Sequence, residues 1–389
     1  MSWGSVLDLW VIIFVPKEIK THEYRVGLVP AGVAQLAADG HQLLVETNAG
    51  FGAGISDREF SEAGATMVER ARGFEQAALV VKVKEPQPSE LALLRPGQMV
   101  FGYFHFAASR SLTEQFIATG ATALAYETLV DELGRIPLLI PMSEVAGRMS
   151  IQQGAKLLEN PGGGRGILLG GVPGTPPAHV TILGAGIVGT EAAKMAAGLG
   201  ATVHLLDTNL HRLRALAEVL PKNVTLLASD RARILDELSV ADLVIGAVLI
   251  KGARAPRLVT RADLKRMRPG SVIVDVAVDQ GGCVETIHPT THDAPSYVEE
   301  GIIHYGVANI PGAVSRTSTF ALTNATLPYL RLLARHGFPD VCSVHPPFRS
   351  ALNIAQGQIY DAGVAEFMGA AAKEFAPPAP TLTSLNIAG

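Results

Sequence analysis

Residues 180–189 read VTILGAGIVG, and this stretch decides the fold of the 389-residue chain. An apolar strand pattern runs directly into a helix pattern rich in Ala, Met and Leu, with three glycines spaced as G-x-G-x-x-G between them. Gly184 permits a tight turn, Gly186 lets a ligand approach the backbone, and Gly189 allows close packing of helix on strand. The helix start offers free N–H groups and a partial positive charge, which suit a pyrophosphate.

Asp207 lies 18 residues after Gly189 and ends the next predicted strand. A carboxylate there can accept hydrogen bonds from the hydroxyls of an adenosine ribose. Strand, glycine turn, helix and acidic strand end together are the signature of a βαβ unit that binds a dinucleotide. The alternative is a tight turn in an α/β unit that binds nothing.

Strand and helix patterns alternate on both sides of this motif and predict two α/β units. In the second half, strands are predicted at residues 179–183, 202–206, 224–227, 243–249, 271–276 and 303–307, and helices at 189–199, 210–220, 261–268 and 320–337. In the first, strands are predicted at 11–15, 42–47, 78–83, 99–104 and 122–126, and helices at 30–39, 56–63, 111–119 and 143–159. Residues 161–177 are glycine-rich and predict a loop, either a connector or a ligand-binding segment.

The composition excludes several classes of protein. Hydrophobic residues make up 48% and charged residues 17%, and the mean hydropathy is +0.27, which excludes a disordered chain. The net charge is −4 with no long basic run, so no nucleic-acid partner is predicted. Cys283 and Cys342 are too few for a disulfide framework and lack metal-ligand spacing, so we predict no metal and a reducing, cytoplasmic setting. Short apolar runs predict neither a signal peptide nor a membrane span.

Further motifs lie along the chain in a fixed order. They are VPKEIK at 15–20, EYRV at 23–26, KVKEP at 82–86, His105, PMSEVAGR at 141–148, GGRG at 163–166, VDQGGC at 278–283, AN at 308–309 and ALTN at 321–324. Together they resemble the alanine dehydrogenases, within the family that also contains the transhydrogenase alpha subunits. The resemblance extends from about Val15 to Phe367.

The resemblance implies an α/β fold of two Rossmann-like, doubly wound domains. A discontinuous substrate domain comprises residues 1–142 and 309–389, an NAD-binding domain of residues 143–308 is inserted into it, and the cleft between them holds the site. The implied activity is NAD-dependent oxidative deamination of L-alanine to pyruvate and ammonia, and the reverse reaction. Small-molecule partners and a homohexamer are implied as well.

The resemblance also assigns roles in this chemistry. Arg25 and Lys84 bind the carboxylate and carbonyl of the substrate, His105 is the acid/base group, and Asp279 is the matching carboxylate. A histidine of ordinary pKa suits this reaction, so we favour His105 over Asp279 as the principal base, but the sequence leaves the choice open. Without the resemblance, Arg25 and Lys84 are equally well read as surface cations, His105 as a core histidine, and Asp279 as a turn residue before two glycines.

The predicted nucleotide contacts combine the glycine motif with matched positions of the family. They are Ser143, Gly184, Gly186, Ile187, Val188, Gly189, Asp207, Arg212, Ser229, Val248, Leu249, Val276, Ala277, Val278, Asp279, His288, Val307, Ala308, Asn309 and Ile310. Asp207 predicts a preference for NAD over NADP, because a 2′-phosphate would meet a like charge.

Some positions depart from the family pattern. Phe14 replaces a usual glycine and could crowd the site, residues 1–9 are extra, and Ile310 would face the nicotinamide region. Two other functions therefore stay open. One is the NAD-binding subunit of a transhydrogenase, although its arginine-rich segment is missing near Ser143. The other is an inactive NAD-binding regulator, if Phe14 blocks the site.

Overall fold

The computed structural model describes residues 10–248 and 255–376. Two compact units divide the chain: a discontinuous unit that extends up to Pro141 and resumes at Val314, and an inserted unit, Met142–Ala313. The extra segment 1–9, the predicted contact Leu249 and most of the C-terminal tail lie outside the described residues. No helix in the described ranges has the length and apolar character needed to cross a membrane.

The strands are short, and six of the fifteen described are buried along their whole length. In chain order they are β1 Ile12–Val15, β2 Gln42–Glu46, β3 Thr66–Val68, β4 Leu79–Val81, β5 Met99–Gly102, β6 Thr122–Ala125, β7 His179–Leu183, β8 Thr202–Asp207, β9 Val224–Ala228, β10 Leu243–Gly246, β11 Val272–Asp275, β12 Ser296–Glu299, β13 Ile302–Tyr305, β14 Leu352–Ala355 and β15 Gln358–Ile359.

Helices connect most of these strands. In chain order they are α1 Pro30–Ala38, α2 Asp57–Glu62, α3 Arg70–Gln76, α4 Pro88–Leu91, α5 Arg110–Thr119, α6 Ile140–Leu157, α7 Ile187–Gly198, α8 Leu210–Ala217, α9 Arg231–Val240, α10 Ser315–His336, α11 Val341–Val344, α12 Phe348–Ala351 and α13 Ala362–Met368. Short 3-10 helices occur at Phe51–Ala53, Phe106–Ala108, Asn160–Gly162, Arg261–Arg266, Val276–Gln280 and Ile310–Val314.

The sheet of the discontinuous unit has the order β15-β14-β6-β5-β4-β1-β2-β3 among the described residues. Strands β1 to β6 are parallel to their neighbours, and the C-terminal segment adds β14 and β15 antiparallel at one edge. The order 3-2-1-4-5-6 is that of a doubly wound sheet, whose ligands bind beyond the carboxyl ends of the strands. Residues after β4 and β5 therefore lie at the edge where a site is expected.

The inserted unit repeats this topology. Its sheet runs β12-β13-β11-β10-β7-β8-β9, with only β12 antiparallel. Counted within the unit, the parallel strands again have the order 3-2-1-4-5-6. The switch point lies between β7 and β10, so the glycine motif after β7 is at the position where nucleotides bind in such sheets.

Several predicted elements have different limits or were missed. The strands predicted at 99–104 and 243–249 end at Gly102 and Gly246, and residues 261–266 form a 3-10 helix rather than an α-helix. Strands β3, β12, β14 and β15 and helices α3 and α9 were not predicted. These strands have two to four residues, too few for an alternating pattern to stand out.

Phe14 lies in the core of the discontinuous unit and not at the carboxyl edge of its sheet. Its side chain is fully buried and packs edge-on against Phe74 of α3, with ring centroids 5.3 Å apart. The ring occupies the space beside Gly73, where an added Cβ would come within 2.2 Å of it. The predicted crowding of the site by Phe14 is therefore wrong, because a glycine in α3 accommodates the ring.

Candidate active site

A predicted substrate-binding side chain and a predicted catalytic side chain meet where neighbouring strands of the discontinuous unit end. Strands β4 and β5 are parallel neighbours, Lys84 lies three residues after β4, and His105 lies three residues after β5. Lys84 Nζ is 3.3 Å from His105 Nε2. Because an ammonium group only donates hydrogen bonds, His105 accepts through Nε2 and carries its proton on Nδ1.

Tyr103 packs against both His105 and Lys84. Its ring is stacked on that of His105, with centroids 5.9 Å apart and planes 3° from parallel, and Lys84 Nζ lies 5.8 Å from the Tyr103 ring centroid. The hydroxyl of Tyr103 donates a hydrogen bond of 2.5 Å to the carbonyl of Leu138. These contacts hold the Tyr103 ring in place, and the ring limits the positions that the side chains of His105 and Lys84 can adopt.

The pKa of His105 is lowered well below its ordinary value. Reduced hydration contributes most, followed by the cations of Lys84, Lys20 and Arg25. The side chain of His105 is itself exposed. Both causes have the same sign, and at neutral pH the imidazole is uncharged with a lone pair on Nε2.

Glu127 holds the backbone of His105 in place. Its Oε1 accepts hydrogen bonds from the backbone N–H groups of Phe104, at 3.0 Å, and His105, at 2.7 Å. His105 has φ 53° and ψ 39°, a left-handed conformation that costs a residue with a Cβ about 1 kcal/mol or more. Glu127 is not among the site residues predicted from the sequence. The available signal was a carboxylate just after β6, the parallel neighbour of β5.

A second buried carboxylate fixes the segment that carries Lys84. Glu18 Oε1 accepts the backbone N–H groups of Val83, at 2.6 Å, and Lys84, at 3.3 Å. Its other oxygen binds Lys82 Nζ at 2.9 Å, and Glu90 binds the same ammonium at 2.9 Å. Burial acts against the charge of Lys82, but the two carboxylates raise its pKa. Of the two lysines in KVKEP, Lys82 is therefore structural, whereas Lys84 faces His105.

Arg25 is buried, with only 2% of its surface exposed, so it is not a surface cation. The carboxylate of Glu23 accepts hydrogen bonds from Arg25 Nε at 2.6 Å and Nη2 at 2.5 Å. Arg25 lies ten residues after β1, so it does not directly follow a strand end. The structure places its charge near enough to lower the pKa of His105.

The glycine motif of the inserted unit has the geometry that its sequence predicts. Gly184 has φ 101°, and a Cβ there would come within 2.7 Å of the Ala247 carbonyl oxygen. A Cβ on Gly189 would lie 1.8 Å from the Gly184 carbonyl oxygen, so only glycine lets α7 pack this closely. Gly186 precedes Ile187, the first residue of α7, and provides no capping side chain. The first turn of α7 can therefore donate its N–H groups to an anion.

Asp207 and Arg212 both contact this turn. Asp207 Oδ2 accepts the backbone N–H of Ala185 at 2.7 Å, and its Oδ1 accepts that of Asn209 at 2.8 Å. Arg212 Nη1 donates to the Ala185 carbonyl at 3.3 Å. Asp207 thus organises the glycine turn from the end of β8, where a ribose is expected to bind.

The other described residues that are predicted to contact the nucleotide also lie around the carboxyl edge of this sheet. Ser229 follows β9 and donates its N–H to the Asp207 carbonyl at 3.0 Å, and Val248 follows β10. Ser143 lies on α6, one turn before Gly147. A Cβ added at Gly147 would come within 2.3 Å of the Val188 carbonyl oxygen. After β13 come Val307, Ala308, Asn309 and the buried Ile310, and the carbonyl of His288 lies against Gly306.

A buried carboxylate that sequence analysis missed shapes the loop of Asp279. Asp275 ends β11 and accepts three backbone N–H groups, from Ala277 at 3.0 Å, Cys283 at 2.7 Å and Val284 at 3.1 Å. The sequence pattern that could have identified Asp275 is an aspartate that ends an apolar strand ahead of the Gly281-Gly282 pair. The loop residues Val276, Ala277, Val278 and Asp279 form a 3-10 helix in which Asp279 is exposed.

Comparison with known proteins agrees with these geometries. The models "Alanine dehydrogenase/PNT, N-terminal domain" and "Alanine dehydrogenase/PNT, C-terminal domain" match residues 14–146 and 150–362. The chain belongs to the alanine dehydrogenase/PNT family. The alanine dehydrogenase of Bacillus subtilis is 51% identical over 360 residues, which cover 92% of this chain and 95% of the relative.

Two solved structures share this fold. An L-alanine dehydrogenase is 50% identical, with a TM-score of 0.89 over 92% of this chain and 99% of that one. A transhydrogenase from Sinorhizobium meliloti is 24% identical, with a TM-score of 0.77 over 90% and 99% of the two chains, and shows the fold alone. The predicted family and the predicted α/β class with two doubly wound units are confirmed.

Proposed function

We propose that this member of the alanine dehydrogenase/PNT family catalyses the NAD-dependent oxidative deamination of L-alanine to pyruvate and ammonia, and the reverse reductive amination. The observation that carries the proposal is the contact of 3.3 Å between Lys84 and His105. This contact lies at the ligand-binding edge of a doubly wound sheet, in a chain about half identical to alanine dehydrogenases over most of its length.

The discontinuous unit holds and deprotonates the substrate. Lys84 offers a cation to the substrate carboxylate or carbonyl, where it stabilises negative charge as the reaction proceeds. Arg25, held rigidly by Glu23, adds a positive field for the carboxylate. His105 is neutral, and once Lys84 turns from it to the substrate, the lone pair on Nε2 can take a proton from the substrate ammonium and later from the attacking water. Asp279, on the inserted unit, remains the second candidate base.

The inserted unit fits NAD by its backbone geometry. When bound, NAD would supply the acceptor for the hydride that leaves the α-carbon of alanine. The glycine turn and the uncapped start of α7 suit its pyrophosphate, and Asp207 stands at the strand end where the adenosine ribose is expected. We therefore assign nucleotide binding to residues 143–308 and substrate binding to residues 1–142 and 309–389.

The remaining assignments also follow from family membership. We propose that the enzyme is cytoplasmic, that it assembles as a homohexamer, and that it serves amino-acid catabolism with small molecules as its only partners. The two buried cysteines, Cys283 and Cys342, agree with a reducing compartment.

Formation of NADH by the purified protein alone tests the proposal. We expect L-alanine to support it better than L-leucine or L-glutamate at saturating NAD. With NADP, kcat/KM should be lower by about 100-fold or more, because a 2′-phosphate would meet the like charge of Asp207 at a cost of several kcal/mol. His105→Asn should lower turnover by about 10²- to 10⁴-fold and leave NADH binding intact. Hydride exchange between nucleotides without alanine oxidation would favour a transhydrogenase component instead.

A further inference from the structure

Two histidines and a glutamate meet on one face of the sheet in the inserted unit. His179 begins β7, His204 is the third residue of β8, and Glu237 lies on α9, which packs against β7. Glu237 Oε2 is 2.6 Å from His204 Nδ1 and 3.2 Å from His179 Nε2. The two imidazole rings are 4.3 Å apart at an interplanar angle of 79°.

The register of the strands explains why these side chains converge. Strands β7 and β8 are parallel, with Thr181 opposite His204. His179 is two residues before Thr181, so its side chain leaves the same face of the sheet as that of His204. The cluster is largely shielded, because the side chains of His179, His204 and Glu237 are only 18%, 23% and 6% exposed.

The donor set is that of a transition-metal site. Two imidazole nitrogens and a carboxylate oxygen are preferred ligands of Zn²⁺ and related ions, and these three atoms lie within 4.8 Å of one another. Around an ion at about 2.1 Å, tetrahedral ligands are about 3.4 Å apart. The contact from Glu237 to His179 is close to this spacing, and the contact to His204 has to open by about 0.8 Å, within reach of a glutamate rotamer.

The protonation state agrees with this chemistry. Burial, and then the neighbouring His204, lowers the pKa of His179, and they outweigh the opposing effect of Glu237. His179 is therefore neutral at pH 7, the form that binds metals. Its backbone N–H donates to Asp242 at 2.9 Å, and Asp242 is paired with Arg165, so the start of β7 is anchored.

The cluster is separate from the proposed nucleotide site, and one of its three side chains, His179, borders a cavity. His179 lies at the amino end of β7, about 13 Å from the carboxyl end that leads into the glycine turn. A cavity of about 550 Å³ opens beside it, lined by His179 together with Pro176, Pro177, Val240, Asp242 and Arg268 among others. An ion can therefore reach the cluster without passing the nucleotide.

We propose that His179, His204 and Glu237 form a binding site for one divalent transition-metal ion of the Zn²⁺ type, with a fourth position left for water. The ion joins β7, β8 and α9, and its role is structural. Nothing in this assignment depends on the reaction that the enzyme catalyses.

Calorimetry and Co²⁺ absorption test the site on the full-length protein after treatment with a chelator. We expect one Zn²⁺ per chain, a Co²⁺ spectrum typical of tetrahedral or five-coordinate N/O ligands, and a rise in Tm with added Zn²⁺. His204→Gln and Glu237→Gln should each weaken binding by about 100-fold or more, consistent with the loss of a direct ligand. Both variants are compared in the ion-free state by circular dichroism, so that a folding defect is recognised.

His211→Gln is the matched control, since His211 is an exposed histidine on α8 of the same unit. This variant should bind Zn²⁺ like the wild type. His105→Gln serves as a second control, because it removes the histidine of the proposed active site. Wild-type binding weaker than millimolar, or equal binding by wild type and His204→Gln, would overturn the proposal. Loss of binding in His105→Gln alone would do the same, because it would place the ion elsewhere.

Discussion

His105 has a backbone conformation that a residue with a Cβ adopts only when its surroundings stabilise it. The stabilising group is the carboxylate of Glu127, which accepts two successive N–H groups at 3.0 and 2.7 Å. Hydrogen bonds to a charged group are worth about 1.5–3 kcal/mol each, enough to offset the strain. The direction of the imidazole therefore depends on a residue 22 positions away in the sequence.

We expect Glu127→Ala to reduce kcat for alanine oxidation by about 100-fold, because displacing a catalytic group by about 1 Å has effects of that size. Glu127→Gln keeps an acceptor oxygen and should recover most of the activity. Steady-state kinetics and NADH fluorescence titration measure the two effects, and nucleotide affinity should be unchanged in both variants. If Ala and Gln at this position proved equally active, Glu127 would have no part in positioning His105.

A second prediction concerns the pKa of His105, which can be followed by deuterium exchange at its C2 position. The cation of Lys84 disfavours the imidazolium and so lowers this pKa. Lys84→Met removes the cation and should move the pKa of His105 upward toward 6.5, whereas Lys84→Arg should keep it low. In the wild-type protein, the loss of kcat/KM at acid pH should accordingly lie below pH 6.5. An unshifted pKa in Lys84→Met would mean that the cation of Lys84 does not contribute, which would leave reduced hydration, Lys20 and Arg25 as the causes.

At the scale of elements, β1 and α3 pack closely because a large side chain on β1 faces a glycine on α3. The Phe14 ring on β1 fills the space beside Gly73 on α3, and the nearest ring carbon is 2.2 Å from where a Cβ of residue 73 would lie. Phe14 belongs to the main buried cluster of the discontinuous unit, together with Phe74 and Val80. The ring therefore contributes to stability, and its effect on the active site is indirect.

Equilibrium unfolding in urea should detect this fit as a coupling between the two residues. Phe14→Ala should cost about 3–5 kcal/mol, and Gly73→Ala about 1–3 kcal/mol through overpacking. In the Phe14→Ala background the clash is gone, and Gly73→Ala should be neutral or slightly stabilising, because Ala favours a helix over Gly by about 1 kcal/mol. Strictly additive effects in the double variant would contradict the proposed fit.

At the scale of the whole molecule, the inserted unit has a sheet and a buried core of its own. That core includes Leu183, Leu206, Val244 and Ile273 from four parallel strands, and every described residue predicted to contact the nucleotide lies in this unit. A unit with its own core can fold by itself. Its separation from the rest of the chain can therefore be tested directly.

We expect a fragment of residues 140–313 to unfold cooperatively and to bind NADH without oxidising alanine, since it lacks Lys84 and His105. Thermal melts monitored by circular dichroism and NADH fluorescence titrations provide the measurements, with the Asp207→Ala fragment as a control for specific binding. A fragment that stayed unfolded would show that this unit depends on the discontinuous unit for its stability.

The sequence by itself determined the doubly wound folding pattern and the glycine turn after β7. Buried strands of four or more residues, glycines at fixed spacing and a helix that follows are local signals, so periodicity and composition record them. Lys84 and His105 were identified through the family resemblance, because without it each could equally be a surface lysine or a core histidine. No comparable local signal exists for α9, a charged helix whose main features are the capping Asp230 and the buried pair Ile234 and Leu238.

Only the tertiary structure decided which side chains act on one another. The contacts of Glu127 with His105, of Glu18 with Lys84 and of Phe14 with Gly73 join residues 22 to 66 positions apart, as do those of Glu237 with His204 and His179. Each depends on strand order and register, which bring distant segments to one edge or one face. A pattern of neighbouring residues does not contain that information, because the same local periodicity is compatible with several strand orders.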